Sequence, residues 1–517
     1  MSAEGAVEAM SLKQQLPALI VITPLLGAVL CAFLKRSTIA WFVSLMVSWS
    51  LPVMAIMILQ QLLEKSSAVP GEAATLSGKV ISYHMGGWAP PQGIEYRVDM
   101  LSAFILILIS VVGAITILYA RKSVGKEIDS SRQTWFYTMY LLCIAGLLGI
   151  TITGDAFNAF VFLEVSSLAT YVLIALGKDR RSLVAAYQYL IMGTIGATFY
   201  VIGIGLLYSV TGSLNFADIA SRLNDTQAFT RPVLAALAFI IVGISLKLAL
   251  FPLHVWLPNA YAYSPSFASV FLAATATKVS IYLLLRFLFS IFHEDFVFEK
   301  HSVSEIFLIL SIAAMFAASA VAIFEKNVKR MLAFSSVAQI GYITLGISLA
   351  NQAGLTGGIV HLFNHALMKA ALFMSIGAVF YRIGSVKIED MAGIGRVMPV
   401  TMTAFVIGGL SLIGVPGTAG FIGKFYLAVG AIEKDMVWLV FVLVASSLLS
   451  VVYIGRIVEV AWFREPVDIN KKAHEPPMSM MMPMVLLALV TIYLGIETSS
   501  TAGIASQAAQ LLLGGGK

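Results

Sequence analysis

The chain has 517 residues, of which 59% are hydrophobic and only 12% are charged, and its mean hydropathy is +0.91. In soluble globular proteins about a quarter of all residues are charged, so this composition excludes that class of protein. The formal net charge of +6 requires no nucleic-acid partner, since an excess of Lys and Arg in a membrane protein usually lies in cytoplasmic loops.

Apolar runs of about 20 residues recur along the whole chain, and each is long enough to cross a hydrocarbon core of roughly 30 Å. They predict an all-α polytopic membrane protein with about 14 transmembrane helices in the lipid bilayer. In chain order, the predicted spans are 15–34, 39–63, 100–120, 135–153, 156–177, 184–210, 232–252, 265–291, 305–324, 330–350, 355–380, 398–430, 436–462 and 478–497.

The segment 64–99, between the second and third spans, contains KVISYHMGGWAPPQGIEYRVD. Its Gly-Gly and Pro-Pro pairs and its alternating Ile, Tyr and Val residues predict a short β-hairpin at the membrane surface. The chain has no Walker loop and no dinucleotide fingerprint joined to a strand. Its two cysteines, Cys31 and Cys143, lie in apolar runs without a metal-ligand spacing. We therefore expect no cofactor, no metal site and no catalytic residue.

Lys and Arg residues outside the spans are unevenly divided between alternate connecting segments. One set of segments holds eighteen of them, Lys329 included, and the other set, which contains both termini, holds nine. The positive-inside rule places the richer set in the cytoplasm. Both termini are therefore predicted on the outer side of the membrane.

A small set of ionisable side chains lies deep within the apolar spans, where insertion scales assign each a cost of about 2.5–3.5 kcal/mol. The set comprises Glu164, Lys247, Lys278, His361, His365, Lys369 and Lys424. Intramembrane charges are by default a sign of an ion or proton pathway. We predict that this set forms a proton path. Arg286 and Arg456 lie nearer span ends, where such residues usually anchor the helix.

Two members of this set have a simpler alternative explanation. Glu164 could be a protonated or hydrogen-bonded structural carboxyl group, and Lys247 lies near enough to the end of its span to extend to the membrane surface. Lys278 has no such explanation, because it lies about 20 Å by helical rise from either end of its span.

His361, His365 and Lys369 are spaced at intervals of four residues and therefore lie on one helix face. Two histidines at this spacing can bind zinc, but no Cys or carboxylate is close in sequence, and Lys369 would repel a divalent ion. Imidazole titrates near neutral pH and can carry a proton on either nitrogen, which favours a proton relay. Structural polar packing and a metal site stay open as alternatives.

Two spans combine a buried lysine with helix breakers. In GISLKLALFPLHVWLPNAYAYSP (243–265), Lys247 precedes Pro252, and in GVPGTAGFIGKFYL (414–427), Pro416 and four glycines accompany Lys424. Broken helices at membrane depth line cavities, and paired interruptions in two halves indicate a transport pathway. The two spans are five apart, an odd number, so a repeat of that period is inverted in the membrane.

The spans group into four predicted regions. The N-terminal helices and the hairpin occupy 1–134, and two inverted five-helix repeats occupy 135–291 and 305–462. The last helix and the tail occupy 478–517.

Five sequence blocks in order resemble the antiporter-like subunits shared by respiratory complex I, membrane-bound hydrogenases and Mrp-type multisubunit cation/proton antiporters. They are TGDAFNAFVFLE (153–164), SLKLALFPLHVWLPNAYAYSP (245–265), KRMLAFSSVAQIGY (329–342), HLFNHALMKAALF (361–373) and PGTAGFIGKF (416–425). The resemblance extends over nearly the whole chain and implies a hydrated axis of buried charges halfway across the bilayer.

Residue by residue, the resemblance gives each buried group a place in this axis. It implies that Glu164 and Lys247 form an ion pair that switches lateral proton transfer, and that Lys278 is the central lysine. It also implies that His361, His365 and Lys369 lie on the eleventh helix, and Lys424 on the twelfth.

The segment GGWAPPQGIEYRVD and the run beginning at Asp155 most resemble the D-type member of Mrp antiporters or its hydrogenase relatives, and one complex I subunit type carries glutamate where Lys424 stands. The resemblance therefore implies a subunit that exchanges protons for Na⁺ or another monovalent cation, with partner subunits, in the bacterial inner membrane. The alternative is a proton-pumping subunit of complex I or a hydrogenase. A membrane enzyme acting on a lipid is a third possibility, but it predicts clustered nucleophiles or carboxylates near an interface, which the sequence lacks.

Overall fold

A computed structural model describes residues 12–67, 80–225, 230–299, 301–471 and 473–514. This described part is almost entirely helical. Its α-helices are α1 (Leu12–Phe33), α2 (Ser37–Ser67), α3 (Met100–Glu127), α4 (Gln133–Ile152), α5 (Ala156–Ala175), α6 (Arg181–Thr211), α7 (Phe216–Asp225), α8 (Arg231–Leu248), α9 (Trp256–Tyr263), α10 (Ser266–Leu285), α11 (Val303–Phe324), α12 (Val328–Leu349), α13 (Gln352–Ile383), α14 (Ile394–Val397), α15 (Pro399–Ile413), α16 (Ala419–Glu433), α17 (Trp438–Val458), α18 (Asp468–Lys471), α19 (Met478–Ile496) and α20 (Ser499–Leu512).

In the described part of the chain, 13 helices are long and apolar enough to cross a membrane, or up to 14 if a bent pair is one span. This confirms the predicted class of polytopic all-α membrane protein. The predicted twelfth span consists of α15 and α16, each 15 residues long, with Pro416 in the segment between them. The predicted seventh span ends at Leu248, and Pro252 lies in the non-helical segment before α9. Both predicted breaks are confirmed.

Five shorter helices lie outside the predicted spans. They are α7, α9, α14, α18 and α20, with 10, 8, 4, 4 and 14 residues respectively. None of them is long enough to cross a bilayer, so a search for apolar spans does not detect them.

Side-chain caps fix where several of the spans begin. Each of four helices follows an Asp or Asn whose side chain accepts a hydrogen bond from a backbone N–H in the first turn. These residues are Asp99 for α3, Asp155 for α5, Asn327 for α12 and Asn351 for α13.

The helices differ in how far the protein itself surrounds them. The buried share of residues in the most apolar part of each helix shows this. It is 100% for Val328–Leu349 and 94% for Ser266–Ile291, but only 28% for Ser37–Glu64. A helix that is apolar all round and buried belongs to the core of a bundle. Helices α10 and α12, which both contact α13, therefore form the centre of the molecule.

The predicted hairpin is present. Strand β1 (Ile81–His84) pairs antiparallel with β2 (Glu95–Val98). The Glu95 carboxylate accepts a hydrogen bond of 2.9 Å from the Asn215 amide, which attaches the hairpin to the segment before α7. We call this end of the bundle the hairpin face.

Candidate functional site

Glu164 on α5 and Lys247 on α8 form an ion pair. The Glu164 Oε1–Lys247 Nζ distance is 3.2 Å, and the ammonium also donates to Ser167 Oγ at 2.7 Å. The Lys247 side chain is 4% exposed, whereas that of Glu164 is 26% exposed. The carboxylate therefore lies at the lateral surface of the bundle, and the ammonium lies inside it.

A small cavity of mixed polar and apolar lining lies between this pair and the central helix α10. Its volume is about 10 Å³, and its lining includes Lys247, Ser167 and Ser280. This volume is at the lower limit for one water molecule. Lys278, two residues before Ser280, is fully buried, and its Nζ donates to the Ala273 carbonyl at 2.5 Å. The two lysines are therefore close in the fold without direct contact.

The two histidines on α13 lie in register, as their spacing predicts. Their rings are 6.3 Å apart between centroids and nearly parallel, with an interplanar angle of 4°. His361 Nε2 is 2.7 Å from Gln339 Oε1, while neither ring nitrogen of His365 has a hydrogen-bond partner among the described residues. Buried polar atoms are nearly always hydrogen-bonded, so the place beside His365 suits a water molecule.

Lys369 continues the same helix face. Its Nζ donates to the Leu332 carbonyl at 2.7 Å and to Ser335 Oγ at 2.5 Å. In the described part of the chain, no group of three or more His, Cys, Asp and Glu residues could hold a metal ion. The geometry around His361 and His365 therefore suits proton transfer better than metal binding.

Lys424 on α16 reaches back across the helix break. Its Nζ donates to the Ile413 carbonyl at 2.8 Å and to Ser447 Oγ at 2.9 Å. The last carbonyls of a helix have no intrahelical partner, so the end of α15 supplies the acceptor for this amine. Lys424 Nζ also lies 4.4 Å from the Tyr342 ring centroid, and that ring is 5.6 Å from the His361 ring. Tyr342 thus connects the histidines to Lys424.

The seven predicted residues follow one another from Glu164 to Lys424, and we call this series the buried line. Its charges are unevenly distributed. In the described part of the chain, Glu164 is the only carboxylate in hydrogen-bond contact with any of them. The amines of Lys278, Lys369 and Lys424 instead donate to carbonyl and hydroxyl oxygens. The single negative charge therefore lies at one end of the line.

The line also has neutral partners, which carry no charge to distinguish them from other residues of an apolar span. Gln339 and Tyr342 both lie in the block KRMLAFSSVAQIGY, which gave the only available indication of them. The same block contains Lys329, which was predicted to lie in a connecting segment. It lies instead in the first turn of α12 and is 3% exposed, and its ammonium donates to Ser266 Oγ at 2.9 Å.

A second buried ion pair lies near the hairpin face. Asp99, the residue that caps α3, contacts the guanidinium of Arg286 at the end of α10. Burial alone would raise the pKa of the Asp99 carboxyl group, but Arg286, the Ser102 backbone N–H and Arg97 together lower this pKa below its ordinary value. Arg286 is therefore a member of an internal ion pair. Its position near the end of a span predicted only that it anchors the helix at the membrane surface.

The comparison of this sequence with known proteins gives matches over most of its length. Residues 153–450 match the family described as NADH:quinone oxidoreductase/Mrp antiporter, transmembrane. The N subunit of NADH-quinone oxidoreductase from Desulforudis audaxviator is 40% identical over 493 residues, which cover 93% of this chain and 95% of the relative. The D subunit of the Na⁺/H⁺ antiporter from Bacillus subtilis is 29% identical over 497 residues, 95% and 96% of the two chains.

Two solved structures share the whole architecture. A chain of the Mrp complex from Dietzia sp. superposes with a TM-score of 0.86 and 25% identity over 98% of both chains. A chain of the membrane-bound sulfane sulfur reductase, an archaeal respiratory membrane complex, also gives a TM-score of 0.86, with 28% identity over 96% of this chain and 98% of the other.

Proposed function

Because the chain belongs to the NADH:quinone oxidoreductase/Mrp antiporter family, we propose that it is the D-type, proton-translocating membrane subunit of a multisubunit cation/proton antiporter. The ions exchanged are H⁺ and Na⁺ or another monovalent cation. The names of the antiporter relatives and the structural match to an Mrp complex support this proposal.

The observation that carries the proposal is the Glu164–Lys247 ion pair at one end of a line of buried amines and imidazoles. A carboxylate and an ammonium in a poorly solvated place each stabilise the charged form of the other. When Glu164 moves away, the charge on Lys247 loses its partner, and removal of one partner of a buried pair typically costs several kcal/mol. That energy drives the proton from Lys247 toward Lys278.

The remaining groups carry the proton along the centre of the bundle. Lys278 passes it toward the imidazoles of His361 and His365 and the amine of Lys369, and Tyr342 leads to Lys424. Water in the gaps between these side chains completes the path, since most neighbours on the line lack direct hydrogen bonds. When Glu164 returns, Lys247 is protonated again and the cycle restarts.

A second candidate keeps the same path but drives it by redox chemistry in partner subunits. It is favoured by the 40% identity to an N subunit of NADH-quinone oxidoreductase and by the match to a respiratory membrane complex. The two candidates differ in the proteins that accompany the chain, and not in the residues described above.

The chain is a multi-pass membrane protein, and we place it in the bacterial plasma membrane with both termini outside. Lys329 is buried and no longer counts toward the richer set of loop cations, but the direction of the asymmetry is unchanged. The hairpin face is then the outer face. The grouping of the spans into two inverted repeats, at 135–291 and 305–462, is part of this proposal.

The decisive experiment is to purify the native complex through a tag on this chain and to identify the co-purifying proteins by mass spectrometry. Everted membrane vesicles from the same cells are then energised, and dequenching of a pH dye is followed on addition of NaCl or KCl. Small antiporter subunits together with cation-dependent proton efflux support the first candidate. Iron–sulfur subunits without cation dependence replace it with the second.

A further inference from the structure

A cavity opens at the hairpin face, beside the first half of the buried line. Its volume is about 360 Å³, far larger than the cavity beside Lys247. The wall is formed by the hairpin, the start of α7, the end of α10 and the end of α20. Side chains at its inner end include Asp99, Thr153, Tyr282 and Arg286. We call this cavity the hairpin vestibule.

The inner end of the hairpin vestibule is closed by a hydrogen-bonded network around the Asp99–Arg286 ion pair. The two side chains are 16% and 11% exposed respectively. Arg286 Nε donates to the Tyr282 hydroxyl at 3.0 Å, and its Nη2 donates to Ser102 Oγ at 2.9 Å. The Tyr282 hydroxyl in turn donates to the Thr151 carbonyl at 2.8 Å. Because this charged pair lines the cavity and is otherwise buried, protons can exchange there between water and the protein side chains.

The central lysine lies on the same helix face as this network, and its ammonium contacts the Ala273 carbonyl and Thr277 Oγ1 rather than Tyr282. Lys278, Tyr282 and Arg286 follow one another at intervals of four residues on α10 and its continuation, so they share one helix face. Each interval corresponds to about 6 Å along the helix axis. Tyr282 is therefore one turn from Lys278 and also reaches the wall of the hairpin vestibule.

We propose that the hairpin vestibule is a port through which protons pass between water at the hairpin face and Lys278, with Tyr282 as the intermediate hydroxyl and the Asp99–Arg286 pair as the gate. This inference rests on the proposed function of the buried line. It adds an exchange point with bulk water in the first half of the chain, far from the end of the line at Lys424.

The transfer is a proton hop without any redox change. The Lys278 ammonium gives its proton to a water molecule one turn away. The Tyr282 hydroxyl accepts that proton on its oxygen as it gives its own to water in the hairpin vestibule, which both Tyr282 and Asp99 line, and this water passes a proton to Asp99. The neutral Asp99 carboxyl separates from Arg286 and then releases the proton to water in the hairpin vestibule, after which the ion pair forms again. The reverse sequence loads Lys278 from the same side.

The gate is held closed when the carboxylate is ionised. Asp99 faces Arg286 from α10, Arg97 from β2 and the Ser102 N–H from α3, and all of these favour its charged form. Opening therefore requires Asp99 to take up a proton from the inner side. His293, Glu294 and Asp295 also line the hairpin vestibule, so its wall carries groups of both charge signs beside the ion pair.

The test uses the whole complex in vesicles and a cysteine placed in the wall of the hairpin vestibule. Ser290 lines the cavity, and the native Cys31 and Cys143 are buried. In Ser290→Cys, proton exchange is measured before and after treatment with a charged, membrane-impermeant thiol reagent. We expect labelling in right-side-out vesicles only and a fall in exchange of about tenfold or more after labelling. The matched control is Ser221→Cys, which is exposed on α7 and outside the cavity, where labelling is expected to leave exchange unchanged.

Two further variants separate this inference from the proposed function. Tyr282→Phe removes only the hydroxyl and is expected to reduce exchange by about tenfold, with normal assembly of the complex. Lys424→Ala tests the buried line itself. If labelled Ser290→Cys and Tyr282→Phe both keep full exchange while Lys424→Ala abolishes it, the port is wrong and the line stands. If Lys424→Ala also keeps full exchange, the proposed function is wrong.

Discussion

The Glu164 carboxylate differs from the other groups of the line in its exposure at the lateral surface. It is partly exposed, and its hydrogen bond to Lys247 is longer than the one that Lys247 makes with Ser167. Ser167 can thus hold the lysine in place while the carboxylate leaves and returns. A switch requires this arrangement, whereas a purely structural carboxyl group would be fixed by several donors.

The first prediction compares two substitutions of Glu164. Glu164→Gln nearly preserves shape but removes the charge, so we expect proton exchange to stop. Glu164→Asp keeps the charge and shortens its reach, so partial activity should remain. Exchange is measured in vesicles with equal amounts of the complex. A structural carboxyl group gives the reverse order, and an active Gln variant beside an impaired Asp variant would end the switch mechanism.

The second prediction concerns the far end of the line. Lys424→Ala should abolish exchange with the complex still assembled, because no other amine is held by the carbonyl groups at the end of α15 in the described part of the chain. Lys424→Arg should also lose most activity, since a guanidinium stays protonated at any accessible pH. Exchange is compared with the amount of complex extracted from the membrane. Full activity in the arginine variant would show that a fixed positive charge suffices there.

At this scale, the ionisable residues could be found from the sequence, because a charge within an apolar run is conspicuous. Their neutral partners could not. Gln339 and Ser447 are ordinary residues of a span, and only tertiary packing places them against His361 and Lys424. Lys329 was predicted to lie in a connecting segment but is buried in α12. The sequence cannot distinguish a buried cation at the start of a span from one at the surface, because burial depends on the neighbouring helices.

The two broken elements resemble each other in detail. Helix α8 is followed by Ala249 and α15 by Gly414, each in the left-handed conformation, with φ of 60° and 89°. Lys247 precedes its break, and Lys424 follows its own. The chain enters α8 from the hairpin face and α15 from the opposite face, so the two lysines lie on the same side of their breaks. An inverted repeat places equivalent residues on opposite sides of their breaks, so Lys247 and Lys424 are not equivalent positions of such a repeat.

The third prediction tests the packing of the second break. A Cβ atom on Gly420, in the first turn of α16, would lie 1.8 Å from the Ser411 carbonyl oxygen of α15. Gly420→Ala must therefore separate the two half-helices and should destabilise the complex by about 1–3 kcal/mol or more. A lower melting temperature of the purified complex and weaker exchange are expected.

The control for this packing test is Gly455→Ala on α17. No atom lies within 4 Å of the position that its Cβ would take among the described residues, so the stability change should stay within about 0.5 kcal/mol. Equal melting temperatures for the two alanine variants would contradict the close approach of α15 and α16. Pro and Gly residues make the breaks visible in the sequence, but nothing there indicates which glycine the neighbouring half-helix contacts.

At the scale of the whole molecule, the number of spans and the hairpin could be predicted because bilayer thickness and turn chemistry are local rules. The hairpin vestibule could not, since its wall combines the hairpin, α7, α10 and α20 from distant parts of the chain. Helices α7 and α20 are not membrane spans, and only the folded structure shows that they surround the end of α10 at the hairpin face.

The lateral surface of the molecule makes it incomplete as a transporter. The Glu164 side chain is 26% exposed there, and Phe157, Val161 and Leu168 on the same helix are exposed apolar neighbours. In lipid, an exposed carboxylate in such a helix costs several kcal/mol. A neighbouring subunit that covers Glu164 removes this cost and can also deliver protons to it.

The last prediction is therefore that the isolated chain does not exchange ions. Reconstituted alone in liposomes, it should show no cation-dependent change in an enclosed pH dye, because Glu164 then faces lipid and no partner subunit delivers protons to it. The complete complex, reconstituted at the same number of copies per liposome, should show robust exchange. The Glu164→Gln variant of the isolated chain serves as the baseline. Cation-dependent flux from the isolated chain at the rate of the complex would show that no partner is needed to complete the path.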